Sequence, residues 1–284
     1  MTIQAYWSRQ KDPLLLGSAI IAHMELQLAA TRFDAVDARV TVIDPEDHGL
    51  PSYFDEAFAG ALPIATRQLR SRTRELCPAD ITWPEVAGEE LATASYGSLR
   101  RVESLLSRGA RPILHWRDDV LIATSAFVRE MRSHGELYAV HPRMTSDETG
   151  YGAANLEAWS SFMAIASSHG ATFVIVGHDR YPRDRFSTAV FAADVGLTLA
   201  MQLALPSLAD GYLGMASGIS AAPIFSQTPY VIFKHERQHA EQMEVELEGD
   251  RFRIAGDAQV LWRRRDSLQA LFDGFDLLRS HGRR

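Results

Sequence analysis

Between Ala209 and Phe233 the chain reads ADGYLGMASGISAAPIFSQTPYVIF. A short apolar run, Tyr212 to Met215, stops at Ser217-Gly218-Ile219-Ser220. A small-residue segment compatible with a helix follows, and Gln227-Thr228-Pro229 leads into a second apolar run, Tyr230 to Phe233. The order spells strand, tight turn, helix and parallel strand, which commits the chain to an α/β architecture. Gly218 allows close backbone approach, and a helix start offers unpaired N–H groups with partial positive charge, a combination suited to phosphate. An ordinary strand-to-helix turn in any α/β protein has the same pattern, so this segment alone specifies a fold class and not a ligand.

The 284 residues are long enough for one large domain or two of ordinary size. An apolar content of 46% and a charged content of 23% are those of a globular protein able to bury a core. A net charge of −7 gives no electrostatic case for nucleic acid. The single cysteine, Cys77, excludes an intrachain disulfide framework and a cysteine-rich metal site, and suits the cytoplasm. The apolar run Leu14 to Ala22 is too short to span a bilayer and breaks into His23 and Glu25. It reads instead as the first strand-to-helix unit of a domain.

In the amino-terminal half, Leu14-Leu15-Leu16 is expected as a strand, Ala19 to Thr31 as a helix and Val40 to Ile43 as a β-branched strand halted by Asp44-Pro45. Thr66 to Leu76 reads as a helix with arginines at 67, 70, 72 and 74. Ser98 to Leu106 is a further helix, Pro112 to His115 a short strand, and Asp118 or Asp119 caps a long helix to about Ser133. The second half alternates more cleanly. Leu137 to Val140 is a strand ending in His141-Pro142-Arg143. A helix runs from about Asn155 to His169, Thr172 to Val176 is a buried strand, and Gly177 to Pro182 is its loop. Ala189 to Ala193 follows as a candidate strand and Leu197 to Leu205 as a helix. Gln259 to Trp262 is extended, and Asp266 or Ser267 caps a last helix from Leu268 to about Leu278. Such alternation implies a parallel sheet covered on both faces, with ligands outside the carboxyl ends of its strands. His141-Pro142-Arg143, Gly177 to Pro182 and Ser217 to Ser220 then share one rim.

Three elements in order carry a resemblance: His141-Pro142-Arg143 as an H-x-R at a strand end, the run Ala209 to Gly218, and Thr228 to Val231 as a proline-led strand. Together they resemble the donor-binding domain of GT-B glycosyltransferases, nearest to small bacterial members and more distantly to heptosyl- and fucosyltransferases. The close match spans Tyr138 to Phe233; the amino-terminal half is assigned by analogy. The resemblance implies two Rossmann-like lobes with parallel sheets covered by helices and a cleft between them. It places an acceptor-side lobe at 1–134 and a nucleotide-sugar lobe at 135–284. It implies a cytoplasmic enzyme that passes a sugar from a nucleotide-diphosphate sugar to a bacterial glycan or glycoconjugate, with no cofactor and no bound catalytic metal. Peripheral contact with a membrane is left open, as is the oligomeric state.

Such a transfer builds charge on a departing diphosphate, which arginine, lysine and backbone donors must stabilise when no metal does. Arg143 is the first candidate, because its planar fork grips two phosphate oxygens. Ser217, Gly218, Ile219 and Ser220 supply hydroxyl and backbone donors. His178 and Asp179 are placed to meet the nucleoside, and Lys234 and His235 to face the cleft. The acceptor's general base is not singled out: Asp44, His115 and His141 are the principal candidates, with Glu25 and His23 beside them. No D-x-D triplet occurs, and His235 and His239, though four apart, follow a strand in a charged loop; no metal ligands are assigned. Two other readings share this scaffold, a non-hydrolysing nucleotide-sugar epimerase and a catalytically silent nucleotide- or glycan-binding protein.

Overall fold

The computed structural model describes residues 1–8, 15–44, 49–51, 53–57, 64–69, 80–84, 99–107, 110–145 and 151–281. The chain divides into two compact units, Met1–Arg117 and Asp118–Arg284. The sequence places the division at 134/135, after the long helix rather than before it. That helix, Asp118–Arg132, belongs with the second unit, where it packs on the strand and helices that follow.

The first unit contains β1 (Thr2–Ser8), α1 (Leu16–Arg32), β2 (Asp37–Ile43), α2 (Phe54–Ala57), β3 (Ile64–Leu69), β4 (Ile81–Trp83) and α3 (Leu99–Leu105). Its sheet has the order β3-β2-β1-β4, with every pairing parallel. Ile3, Ala5 and Trp7 pack with Val40 and Val42 and with Ala19, Ala22 and Leu26 of α1. Three expectations are corrected here. The first strand is β1, and Leu16 opens α1; Leu14 lies outside the described residues. Gln4 disguises β1 as polar, yet its buried amide is satisfied by Ala5 O at 2.9 Å and Thr41 Oγ1 at 3.0 Å. The helix expected over Thr66 to Leu76 is, where described, β3, because Thr66 to Leu69 continue the parallel ladder against Val40 to Ile43; positions 70–79, with Arg70, Arg72 and Arg74, lie outside the described residues. Pro112 to His115 joins no sheet. Its backbone is held instead by a side chain: Gln27 accepts from His115 N at 3.1 Å and donates to His115 O at 2.8 Å.

The second unit runs α4 (Asp118–Arg132), β5 (Glu136–His141), α5 (Leu156–Ser167), β6 (Ala171–Ile175), β7 (Ala189–Phe191), α6 (Leu199–Ala204), β8 (Gly211–Met215), α7 (Ala221–Ile224), β9 (Tyr230–Phe233), α8 (Ala240–Glu246), β10 (Leu247–Glu248), β11 (Arg251–Phe252), β12 (Gln259–Trp262) and α9 (Leu268–His281). Six of these strands form one parallel sheet in the order β12-β9-β8-β5-β6-β7, and β10-β11 is a small antiparallel ribbon. Near-continuous burial of the central strands reflects a sheet covered on both faces. On one face Tyr138, Phe173, Leu213 and Val231 meet Trp159 and Phe162 of α5 and Leu271 and Phe275 of α9. The period of two turns Leu137, Ala139, Tyr212 and Tyr230 to the other face.

Helix ends are set by local chemistry. Asn155 accepts from Ala158 N–H at 3.2 Å and caps α5. Of the two residues offered as caps for α9, Ser267 takes the role, accepting from Ala270 N–H at 3.2 Å. Asp266 turns inward instead, where its Oδ2 accepts from Asn155 N–H at 2.6 Å and the Trp159 indole at 2.8 Å.

Candidate functional site

The strand order places β8, β5 and β6 side by side, so the loops that leave their carboxyl ends are neighbours. His141, the last residue of β5, joins all three. Its Nδ1 is 2.9 Å from Ser217 Oγ, beyond β8, and its Nε2 is 3.7 Å from Asp179 Oδ2, beyond β6. That same Asp179 oxygen accepts from Met144 N–H at 2.8 Å. Gly177 makes the approach of the ring possible. A Cβ there would stand 2.9 Å from His141 Nε2, and its φ of +103° is one that L side chains rarely adopt. Burial pushes the imidazole pKa down to about 4; Asp179 opposes that fall and Arg143 adds to it. Near neutral pH the ring is uncharged. With Nε2–H facing Asp179, its Nδ1 lone pair accepts from the Ser217 hydroxyl.

The turn beyond β8 is built from its own serines. Ser220 Oγ donates to Ser217 O at 2.7 Å and accepts from Ser217 N–H at 3.0 Å. The backbone N–H groups of Ser220, Ala221 and Ala222 are bonded to the carbonyls of Ser217, Gly218 and Ile219. Ser220 therefore shapes the loop from inside it, while the N–H groups of Gly218 and Ile219 have no protein partner among the described residues. Arg143 lies next to this turn, half-buried, its Nη1 donating to Ala216 O at 3.3 Å. Gly152, at φ +99°, leaves room for it: a Cβ at that position would come within 2.8 Å of Arg143 Nη1. One guanidinium and two amides without a protein partner among the described residues thus lie at the rim and can offer hydrogen-bond donors and positive charge to an anion, beside a serine whose hydroxyl hydrogen is engaged by the neutral histidine.

Cavities lie on either side. One of about 310 Å³ sits beyond β6 and β7, lined by Gly177, His178, Asp179, Tyr181, Arg183 and Phe191. Arg183 holds its guanidinium 3.6 Å from the centre of the Phe191 ring. The other, about 470 Å³, sits beyond β8, β9 and β12 and includes His235 and Asp266. His235 stacks on Tyr151, with ring centres 4.1 Å apart and planes 13° from parallel. Lys234, the residue before it, is buried, and its backbone N–H donates to Trp262 O at 2.9 Å. No group of three or more His, Cys, Asp or Glu side chains able to hold a metal ion occurs among the described residues.

The remaining candidates belong to the first unit. Asp44 is buried at the end of β2, and the His115 side chain is exposed. Glu25 and His23 face the interior of that unit. Glu25 is paired with Arg101 at 2.5 Å and accepts from the Trp83 indole at 2.7 Å. His23 meets Ala57 O at 3.1 Å, and burial takes its pKa down to about 4. Three residues have roles at the site that the sequence does not show, although it places Gly177 on the rim loop and offers Asp266 as a helix cap. Gly177 carried a signal, a glycine directly after a buried strand. Tyr151 and Asp266 carried none, since the loop and α9 that bring them together are more than a hundred positions apart.

No protein-family model matches the chain, and no curated protein does. Solved structures do. The chain is similar to the E. coli ADP-heptose lps heptosyltransferase II, with a TM-score of 0.59, 11% identity and 99% of each chain covered. It is similar to the E. coli heptosyltransferase WaaC with ADP at a TM-score of 0.56, with 10% identity and 99% of each chain covered. It is also similar to the family 9 glycosyl transferase from Veillonella parvula DSM 2008, at a TM-score of 0.50 and 11% identity, over 98% of this chain and 97% of that one. The likeness extends over both units and is one of fold: the chain has the two-lobed GT-B architecture of the glycosyltransferases.

Proposed function

We propose that a chain with this architecture and this rim is a glycosyltransferase, taking a sugar from a nucleotide-diphosphate sugar and passing it to a glycan or glycoconjugate acceptor without a catalytic metal. The observation that carries the reading is the proximity of Arg143 to the turn whose Gly218 and Ile219 amides have no protein partner among the described residues, at the carboxyl ends of adjacent strands. In this reading the guanidinium and the amides take up the charge that develops on the leaving diphosphate. His141 acts through Ser217, tying the turn that carries those amides to the end of β5, and is a positioning residue. The nucleoside occupies the cavity of about 310 Å³ beside His178 and Asp179. One structural neighbour was solved with ADP, which makes an ADP-linked sugar the first donor to try.

The test is calorimetric titration of ADP, UDP, GDP, TDP and CDP into the chain with chelator present, in wild type and Arg143→Ala. One diphosphate should bind, and its affinity should fall by at least about tenfold in the variant, as expected for a lost hydrogen bond to an ionised group. The matching sugar nucleotide, incubated with bacterial glycan extract, should then release that diphosphate only when acceptor is present. Turnover of the sugar nucleotide without acceptor would favour the epimerase reading, and binding without turnover the silent binder. Indifference to all five diphosphates would remove the donor site.

A further inference from the structure

The cavity proposed for the nucleoside, about 310 Å³ beyond β6 and β7, has an apolar part and a cationic part. Ile175, Phe191 and Ala193 supply the first, and Arg180 and Arg183 the second. Arg183 is held at two points. Its guanidinium carbon lies 3.6 Å from the centre of the Phe191 ring, and its Nη2 donates to Asp194 Oδ1 at 2.8 Å. Asp194 does not itself line the cavity. The ring thus covers one face of the guanidinium and the carboxylate takes one N–H, which leaves the remaining donors of a pre-oriented fork for whatever enters. Arg180 is exposed and has no hydrogen bond or ion pair among the described residues. Asp179 is the one carboxylate in the lining, and its Oδ2 already accepts from Met144 N–H at 2.8 Å.

An arginine fork donates and cannot accept, so it distinguishes bases by the acceptors that their edges present. Guanine sets O6 and N7 side by side, two acceptors that match the fork. Adenine has the donor N6–H₂ next to N7, cytosine has the donor N4–H₂, and uracil and thymine offer O4 beside a carbon. A fork against the adenine edge would bring donor against donor, leaving N–H groups without a partner in a partly desolvated cavity. That cost discriminates as much as the bond gained with guanine.

We propose that Arg183 selects guanine and that the donor is a guanosine-diphosphate sugar. The inference rests on the transferase reading and names its substrate class. The ADP of one structural neighbour does not bear against it, because likeness of fold at 10% identity carries no ligand with it.

GDP, ADP, UDP, TDP, CDP and inosine diphosphate are titrated by calorimetry into wild type, Arg183→Ala, Arg183→Gln and Arg143→Ala, with chelator present. Arg183 is exposed, so its variants should fold. The quantity read is the ratio of the ADP and GDP dissociation constants. In wild type GDP should bind about tenfold or more tightly than ADP, the discrimination of one bidentate pair. Inosine diphosphate keeps O6 and N7 and should bind within about threefold of GDP. Arg183→Ala should erase the preference. Arg183→Gln, whose amide pairs with adenine N6 and N7, should move the ratio furthest toward ADP. Arg143→Ala should weaken both diphosphates and leave the ratio as it is. Equal binding of GDP and ADP by wild type, a preference for another base, or a guanine preference that survives Arg183→Ala overturns the inference and leaves the transferase reading standing. Failure of every diphosphate to bind wild type removes the donor reading and this inference with it.

Discussion

At Gly177 a methyl group would arrive 2.9 Å from His141 Nε2 on a backbone whose φ of +103° already resists a side chain. Gly177→Ala should therefore cost about 1–3 kcal/mol of stability and push the imidazole off Ser217. Urea unfolding measures the first effect, and weakened nucleoside diphosphate binding the second. A variant as stable as wild type would mean that the ring is not where the hydrogen bonds put it. The same imidazole makes stability depend on pH. His141 and His23 each titrate near 4 in the folded chain against an ordinary 6.5, chiefly because burial disfavours the cation. Between those values the unfolded chain binds the proton and the folded chain does not. Their contribution is complete above about pH 6.5 and is lost as pH falls toward 4, on the order of 3 kcal/mol for each histidine. His141→Gln, compared with wild type by urea unfolding at pH 7.5 and 4.5, should show the shallower dependence. Parallel behaviour of the two proteins would contradict it.

Among elements, the junction of α4, β5 and β8 depends on one carboxylate in the run Ala209 to Gly218. Asp210 Oδ2 accepts from Leu137 N–H at 2.8 Å, and Oδ1 pairs with Arg132 at 2.8 Å. Asp210→Ala removes both and should lower stability by about 1–3 kcal/mol without altering nucleoside diphosphate affinity. Thermal melting and titration check the two halves of that statement, and a loss of affinity at unchanged stability would move Asp210 into the site. The sequence made this unit readable because its strands are short apolar runs closed by Gly, Pro or Ser, as at Tyr230 to Phe233, which is β9 residue for residue. In the first unit the same rules misplace elements for physical reasons. Gln4 is polar yet buried, because Ala5 O and Thr41 satisfy its amide. Thr66 to Leu69 carries helix-compatible residues that β2 recruits as a strand. The rim was legible as a list of loops. The hydrogen bonds that make it a site, His141 to Ser217 and Asp266 to Trp159, join residues too distant in sequence for local patterns to pair.

For the whole molecule, what matters is that each of the two units has a core of its own, Ile3 to Leu105 in one and Tyr138 to Leu278 in the other. Every residue proposed to meet the diphosphate belongs to the second. A ligand stabilises only against those openings that destroy its site, by about 2.7 kcal/mol at a hundred times its dissociation constant, which is close to a hundredfold slowing of exchange. Hydrogen exchange with ADP at that ratio should therefore slow amides of β5, β8 and β9 by up to about a hundredfold. The amides of β1 and β2, hydrogen-bonded within the other sheet, should exchange at their ligand-free rates. Arg143→Ala should shrink the effect in the second unit in proportion to its lost affinity. Equal slowing in both sheets would show that the two cores open as one cooperative body, and the donor site would then draw on the stability of the entire chain.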